Sequence, residues 1–103
     1  MIEVFYFEGC PHHEALVAHL RQLLNEVAVT ESIQLRRIDS DVQARAQRFL
    51  GSPTVRIDGR DVEPGAETRT SYGLQCRLYL TGDGVRGTPP DEQILTALAT
   101  RSS

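Results

Sequence analysis

Ile2, Val4 and Tyr6 alternate with Glu3, Phe5 and Phe7 in a mostly apolar run. Such a run predicts a strand covered on both faces, as in the middle of a sheet. Leu16, Leu20, Leu23, Leu24 and Val27 then recur at helical spacing. They predict a helix over about Pro11 to Val27. Pro11 suits the first helical position, where a missing N–H leaves no bond unmade. Ile33, Leu35 and Arg37 alternate against Gln34, Arg36 and Ile38, which reads as a second strand. Asp39 or Ser40 can cap a short helix over about Asp41 to Leu50, and Gly51 ends it. Thr54 to Ile57 is a third strand, and Asp58-Gly59 is a strong two-residue hairpin signal that returns the chain through Arg60 to Val62.

From Glu63 to Gly87 the pattern breaks. Pro64, Gly65, Gly73, Gly82, Gly84 and Gly87 mark loops and turns. Inside this stretch Leu74, Cys76, Leu78 and Leu80 alternate like the buried face of a strand, while Tyr72, Cys76, Tyr79 and Leu80 also fit one helical face. The reading leans to a short strand or an irregular hairpin. Thr88 is a good N-cap for a last helix whose buried stripe is Ile94, Leu95, Leu98 and Ala99. Arg101-Ser102-Ser103 is expected to fray.

The element order is β-α-β-α-β-β-α. A β-α-β unit makes the first two strands parallel, with a right-handed crossover expected. The Asp58-Gly59 hairpin makes the last pair antiparallel. At 103 residues the chain is read as a single domain over 1–103, with 63–87 inserted before the last helix.

Composition then narrows the function classes. The formal charge is −3 and the basic residues are scattered, with no stripe of them among aromatics, so nucleic acid is not expected as a partner. No apolar run approaches the ~18 residues of a membrane span. There is no basic segment followed by an apolar one at the N-terminus, so a cytoplasmic protein is expected. The two cysteines stand far apart and make no disulfide framework. In a reducing compartment such cysteines are catalytic, metal-binding or simply buried.

Gly9-Cys10-Pro11-His12-His13 lies where the first strand hands over to the first helix. There Cys10 is near the positive end of a helix dipole, which favours the reactive thiolate. The bland alternative is an inert cysteine at a helix start. His13 follows at a spacing that returns to the same helix face. Protonated, it would favour the thiolate; neutral, it could take the thiol proton or bind a metal, and otherwise it merely packs. His12 and His19 read as surface or boundary residues. Cys76 is a small core residue if its leucine neighbours are buried, and Arg77 reads as a solvated arginine unless it holds a thiolate or an anion.

These residues together resemble the thioredoxin/glutaredoxin superfamily. The element order, Gly9-Cys10-Pro11-His12-His13 between the first strand and helix, and Ser52-Pro53-Thr54 before the third strand carry the likeness, over about residues 2 to 62 and 88 to 100. The whole chain also resembles small bacterial thioredoxin-like proteins that share the Gly-Cys-Pro, Ser-Pro-Thr-Val and Tyr-Gly-Leu-x-Cys-Arg segments. Some of these carry a loose alkylmercury-lyase-like label, although this chain is much shorter than an organomercurial lyase.

The resemblance implies an α/β, thioredoxin-like fold. That fold has a mixed four-stranded sheet, helices on both faces, and here a long loop or extra hairpin before the last helix. It implies Cys10 as the reactive thiol. It also implies a cis Ser52-Pro53 bond, so that Ser52, Pro53 and Thr54 form a substrate-binding loop able to pair with a peptide or glutathione backbone. His13 stands where a second cysteine is usual, so no local thiol resolves a mixed disulfide. Three routes stay open. Cys10 works as a monothiol with glutathione as co-substrate; Cys10 pairs with Cys76; or Cys10, His13 and Cys76 hold a thiophilic metal ion such as mercury, zinc or copper. The expected partners are protein or small-molecule thiols and disulfides. A thioredoxin-like scaffold without redox turnover is the alternative from another class.

Overall fold

The structure, a computed structural model, describes residues 1–101; Ser102 and Ser103, where fraying is expected, lie outside the described residues. β1 (Ile2–Tyr6) is mostly apolar, with Glu3 as its one charged residue, and lies inside the sheet. It runs between β2 (Ile33–Arg37) and β3 (Thr54–Ile57), with β4 (Arg60–Asp61) beyond β3. β1 and β2 are parallel, with Ile2 opposite Ile33 and Tyr6 opposite Arg37. β3 is antiparallel to β1, with Ile2 opposite Ile57 and Phe5 opposite Thr54. The result is a mixed four-stranded sheet. β3 turns into β4 at Asp58 (φ 53°) and Gly59 (φ 84°), the two left-handed positions that the Asp-Gly signal predicts.

Register decides the core, because residues opposite one another share a face. Ile2, Val4, Val55 and Ile57 form one surface. Leu16, Val17, Leu20, Leu23 and Leu24 of α1 (His13–Glu26) cover it together with Ile94 of α3 (Asp91–Thr100). Phe5 faces the other way and packs with Ile38, Phe49 and Ala44 of α2 (Asp41–Ala46). Glu3 shares the Phe5 side and is buried, where Arg36 Nε donates to its carboxylate at 3.0 Å. His12, the N-cap of α1, makes no side-chain capping bond. A cap is worth about 1 kcal/mol, whereas each fully buried aliphatic side chain contributes about 1.5–3 kcal/mol. The buried stripe therefore holds α1 in place.

The helix ends depart from the expected bounds. α1 begins at His13, not Pro11, and the Leu16 N–H donates to the His12 carbonyl at 3.1 Å as its first bond. Pro11 thus precedes the N-cap. α2 ends at Ala46, not Leu50, because Arg48 adopts φ 54° and sends the Phe49 N–H back to the Ala44 carbonyl at 2.8 Å. That is a Schellman ending, with arginine in the place glycine usually takes. Ser40 does cap α2, its hydroxyl accepting from the Gln43 N–H at 3.1 Å. The cap of α3 is Pro90, not Thr88, and Ala97 joins its buried side in place of Ala99.

The stretch before α3 contains a 3₁₀ turn at Ala66–Thr68 and a separate hairpin of β5 (Tyr79–Thr81) and β6 (Gly84–Arg86). Its alternation is the reverse of the expected one. Arg77 and Tyr79 are buried, while Leu74, Leu78 and Leu80 are 39%, 65% and 75% exposed. Cys76 is exposed with them, so it is not a core residue. The cause is a set of polar partners waiting inside for Arg77 and Tyr79. No helix among the described residues is long and apolar enough to cross a membrane.

Candidate functional site at one end of the sheet

β1 and β3 are antiparallel, so the exit of one lies beside the entrance of the other. Phe5 is opposite Thr54; beyond that pair β1 runs on into Phe7-Glu8-Gly9-Cys10, while Ser52-Pro53 leads into β3. Topology thus brings Cys10 and the Ser52-Pro53-Thr54 loop to the same end of the sheet. The Ser52–Pro53 peptide bond is cis.

Cys10 is 4% exposed, and its N–H donates to the Phe7 carbonyl at 3.2 Å, closing the turn that Gly9 opens at φ 93°. With α1 starting at His13, Cys10 stands two residues before the N-cap rather than in the first helical turn. The dipole acts over the first helical turn, and Cys10 lies before that turn. His13 is half-buried. Its ring stacks on Tyr6, with centroids 4.2 Å apart, and its Nδ1 lies 3.0 Å from the Cys10 carbonyl oxygen. A carbonyl can only accept, so Nδ1–H is the donor. His13 therefore ties down the cysteine loop through the backbone. His12 is exposed and its ring lies against Gly87, where an added Cβ would come within 2.9 Å of it. His19 is exposed and its Nε2 meets Asp91 Oδ1 at 2.7 Å, linking α1 to α3.

Ser52 is fully buried, and both of its backbone groups are taken by the chain itself. The Ser52 N–H donates to the Gln75 carbonyl at 2.8 Å, and the Arg77 N–H donates to the Ser52 carbonyl at 3.0 Å. Cys76 lies between those two bonds, opposite Ser52 in a parallel bridge. The pairing extends upstream, since the Gly73 N–H donates to the Phe49 carbonyl at 3.1 Å and Gln75 Nε2 donates to the Leu50 carbonyl at 3.2 Å. Gly51 makes this approach possible. Its φ is +124°, and a Cβ there would stand 2.9 Å from the Gln75 carbonyl oxygen. The Ser52 hydroxyl is enclosed without a hydrogen-bond partner.

Arg77 is buried, not the solvated arginine that the sequence suggests, and it holds carboxylates of the chain itself. Its guanidinium donates to both oxygens of Asp61 at 2.6 and 2.9 Å, to Glu63 at 2.8 Å and to Thr54 Oγ1 at 2.9 Å. Thr54 in turn donates to the Gly51 carbonyl at 2.7 Å. Burial works against the Arg77 charge, but the Asp61 hydrogen bonds and the surrounding carboxylates outweigh it and hold its pKa above the ordinary value. The cation lies 4.5 Å over the Tyr79 ring. The Tyr79 hydroxyl donates to the Pro53 carbonyl at 2.6 Å, and burial pushes its pKa up. The signal available in the sequence was Asp61-x-Glu63 just after a strong hairpin, with an arginine alternating against leucines.

Cys10, Ser52, Pro53, Thr54 and Cys76 thus belong to one end of the sheet, with His13 bonded to the cysteine loop. Both cysteines are free thiols. Among the described residues no group of three or more His, Cys, Asp and Glu side chains stands together as a metal site, so Cys10, His13 and Cys76 form no preformed metal centre. Comparison with protein families, with curated proteins and with solved structures found no match for this chain.

Proposed function

We propose that the chain is a thioredoxin-like thiol–disulfide redox protein that acts through Cys10. The observation that carries this reading is the placement of the Cys10 loop and the cis Ser52-Pro53 loop at the shared end of antiparallel β1 and β3. The strand order β2-β1-β3-β4 and the helix between β1 and β2 agree with the thioredoxin-like arrangement. Thiol–disulfide exchange needs a thiolate, an accessible sulfur on the partner and a leaving thiol. Cys10 supplies the first, and protein or small-molecule disulfides supply the rest, with glutathione as the natural co-substrate of a monothiol site. The test is disulfide reduction by the purified, reduced protein. Turnover should disappear in Cys10→Ser. Equal turnover in that variant, or none in the native protein, would remove the reading.

A second reading has its own support. Leu74, Leu78, Leu80 and Val85 are exposed large apolar residues on and beside the segment that reaches Ser52. A thioredoxin-like scaffold that binds a partner without redox turnover would use such a surface. In that case Cys10→Ser leaves partner binding intact.

A further inference from the structure

We propose that Cys76 is the resolving thiol for Cys10, held at the site by the segment Gln75–Arg77, which forms a parallel bridge to Ser52. This rests on the redox reading of Cys10 given above.

Three independent features fix the position of Cys76. Its neighbours on both sides bond to the two backbone groups of Ser52, so Cys76 is the centre of the pairing with the loop that enters β3. Gly51, where a Cβ would strike the Gln75 carbonyl, allows that segment to lie close. Arg77, the next residue, is anchored in a buried fork on Asp61 and a bond to Glu63. Desolvating an arginine is expensive, and a leucine would bury at no such cost. Yet the chain buries Arg77 and leaves Leu74, Leu78 and Leu80 outside. In an alternating segment that choice also decides the neighbour: with Arg77 inside, Cys76 stays exposed beside Ser52.

The pairing edge of Ser52 is the edge that a peptide substrate would use by strand addition. Here the chain fills it, and it presents a cysteine at the centre of the added segment. The exchange then balances within the chain. Once the cysteine loop opens and admits the reagent, the Cys10 thiolate attacks a small disulfide such as oxidised glutathione, forming a Cys10–glutathione mixed disulfide and releasing one glutathione thiolate. The Cys76 thiolate next attacks the Cys10 sulfur, forming a Cys10–Cys76 disulfide and releasing the second glutathione. The substrate disulfide gains two electrons, and the two cysteines lose two electrons and two protons. An external thiol or dithiol reductant returns the chain to the dithiol form. A tethered thiol has an effective concentration on the order of millimolar or higher, so it competes well with free glutathione.

The experiment treats the reduced, full-length chain with oxidised glutathione, quenches with acid and reads intact mass and peptide maps. Native protein should end two hydrogens lighter than the reduced chain, with Cys10 joined to Cys76. Cys76→Ser, an exposed and nearly isosteric change, should stop at a glutathione adduct on Cys10 and lose the internal disulfide entirely. A lasting Cys10 adduct in the native protein, with Cys76 still free, would overturn the resolving role and leave the redox reading standing. Absence of any adduct or disulfide at Cys10 in both proteins would overturn the two together.

Discussion

Arg77 grips Asp61 through both ends of its guanidinium, at 2.6 and 2.9 Å, with 1% of the arginine side chain exposed. The pair joins β4 to the segment beside Ser52, and through Thr54 Oγ1 it reaches the start of β3. Removing one partner of a buried ion pair strands the other charge, at about 3–5 kcal/mol. A domain of this size is stable by about 5–15 kcal/mol in all. Arg77→Met is therefore expected to lose a large part of the folding free energy in urea titrations. Arg77→Lys should rescue only part of it, because an ammonium cannot fork across two carboxylate oxygens and also reach Glu63 and Thr54. Native-like stability in Arg77→Met would mean that the fork contributes nothing net.

Gly51 lets the Gln75 backbone lie close against it. Gly51→Ala places a methyl group 2.9 Å from the Gln75 carbonyl oxygen, at a backbone φ of +124° that side chains rarely adopt. The strained φ alone costs about 1–3 kcal/mol. The expected result is a stability loss of that order and faster hydrogen exchange at the Ser52 and Arg77 amides, whose bonds hold the Gln75–Arg77 segment in place. Unchanged exchange at those two amides would show that the segment does not depend on Gly51.

Local patterns made much of the fold legible. β1 and the α1 stripe are read from hydrophobic periods, and the β3–β4 turn from two residues. The burial of 74–80 was hidden because one segment carries two alternating sets, leucines with Cys76 and Arg77 with Tyr79. Hydrophobicity alone selects the leucines. The polar set wins because Asp61, Glu63, Thr54 and the Pro53 carbonyl, all distant in sequence, converge to receive it. The same limit hid the placement of Cys76: its proximity to Ser52 is a tertiary backbone pairing with no local signature. Cys10 was legible because it sits at a strand-to-helix junction that the pattern marks, whereas Ser52-Pro53-Thr54 was marked through the family resemblance alone. The later start of α1 was not legible, since Pro11 fits the first helical position and the position before the cap almost equally well.

The two thiols differ sharply in access. Cys76 is exposed and Cys10 is 4% exposed. Alkylation of the reduced native protein should therefore be biphasic, with the fast phase on Cys76 and absent in Cys76→Ser. Denaturant should bring the Cys10 rate up towards that of an open thiol. A fast phase that survives Cys76→Ser would show that Cys10 is open in solution.

Tyr79 sets an alkaline limit. Burial raises its pKa in the fold, while the unfolded chain keeps the ordinary value of about 10. Above pH 10 the unfolded state sheds this proton and the folded state holds it, so the unfolded state gains. Stability contributed by the neutral phenol is full below about pH 10 and falls as pH rises beyond it. Tyr79→Phe should flatten that alkaline decline. It should also cost about 1–3 kcal/mol at neutral pH, because the buried Pro53 carbonyl loses its donor. Denaturant midpoints for both proteins across alkaline pH decide it, and parallel curves would place the decline elsewhere.

His13 faces two opposed expectations. If it serves as the base for Cys10, His13→Ala slows alkylation of the Cys10 thiol. The geometry favours the reverse, because Nδ1–H is donated to the Cys10 carbonyl and the ring is stacked on Tyr6. Removing the ring frees the cysteine loop from β1. A hydrogen bond of this kind holds a loop by about 0.5–1.5 kcal/mol, so the opening that admits a reagent becomes about two- to tenfold more frequent. His13→Ala is thus expected to speed Cys10 alkylation by about that factor in a Cys76→Ser background, where Cys10 is the remaining thiol. A slower rate would assign His13 to proton transfer rather than to holding the loop.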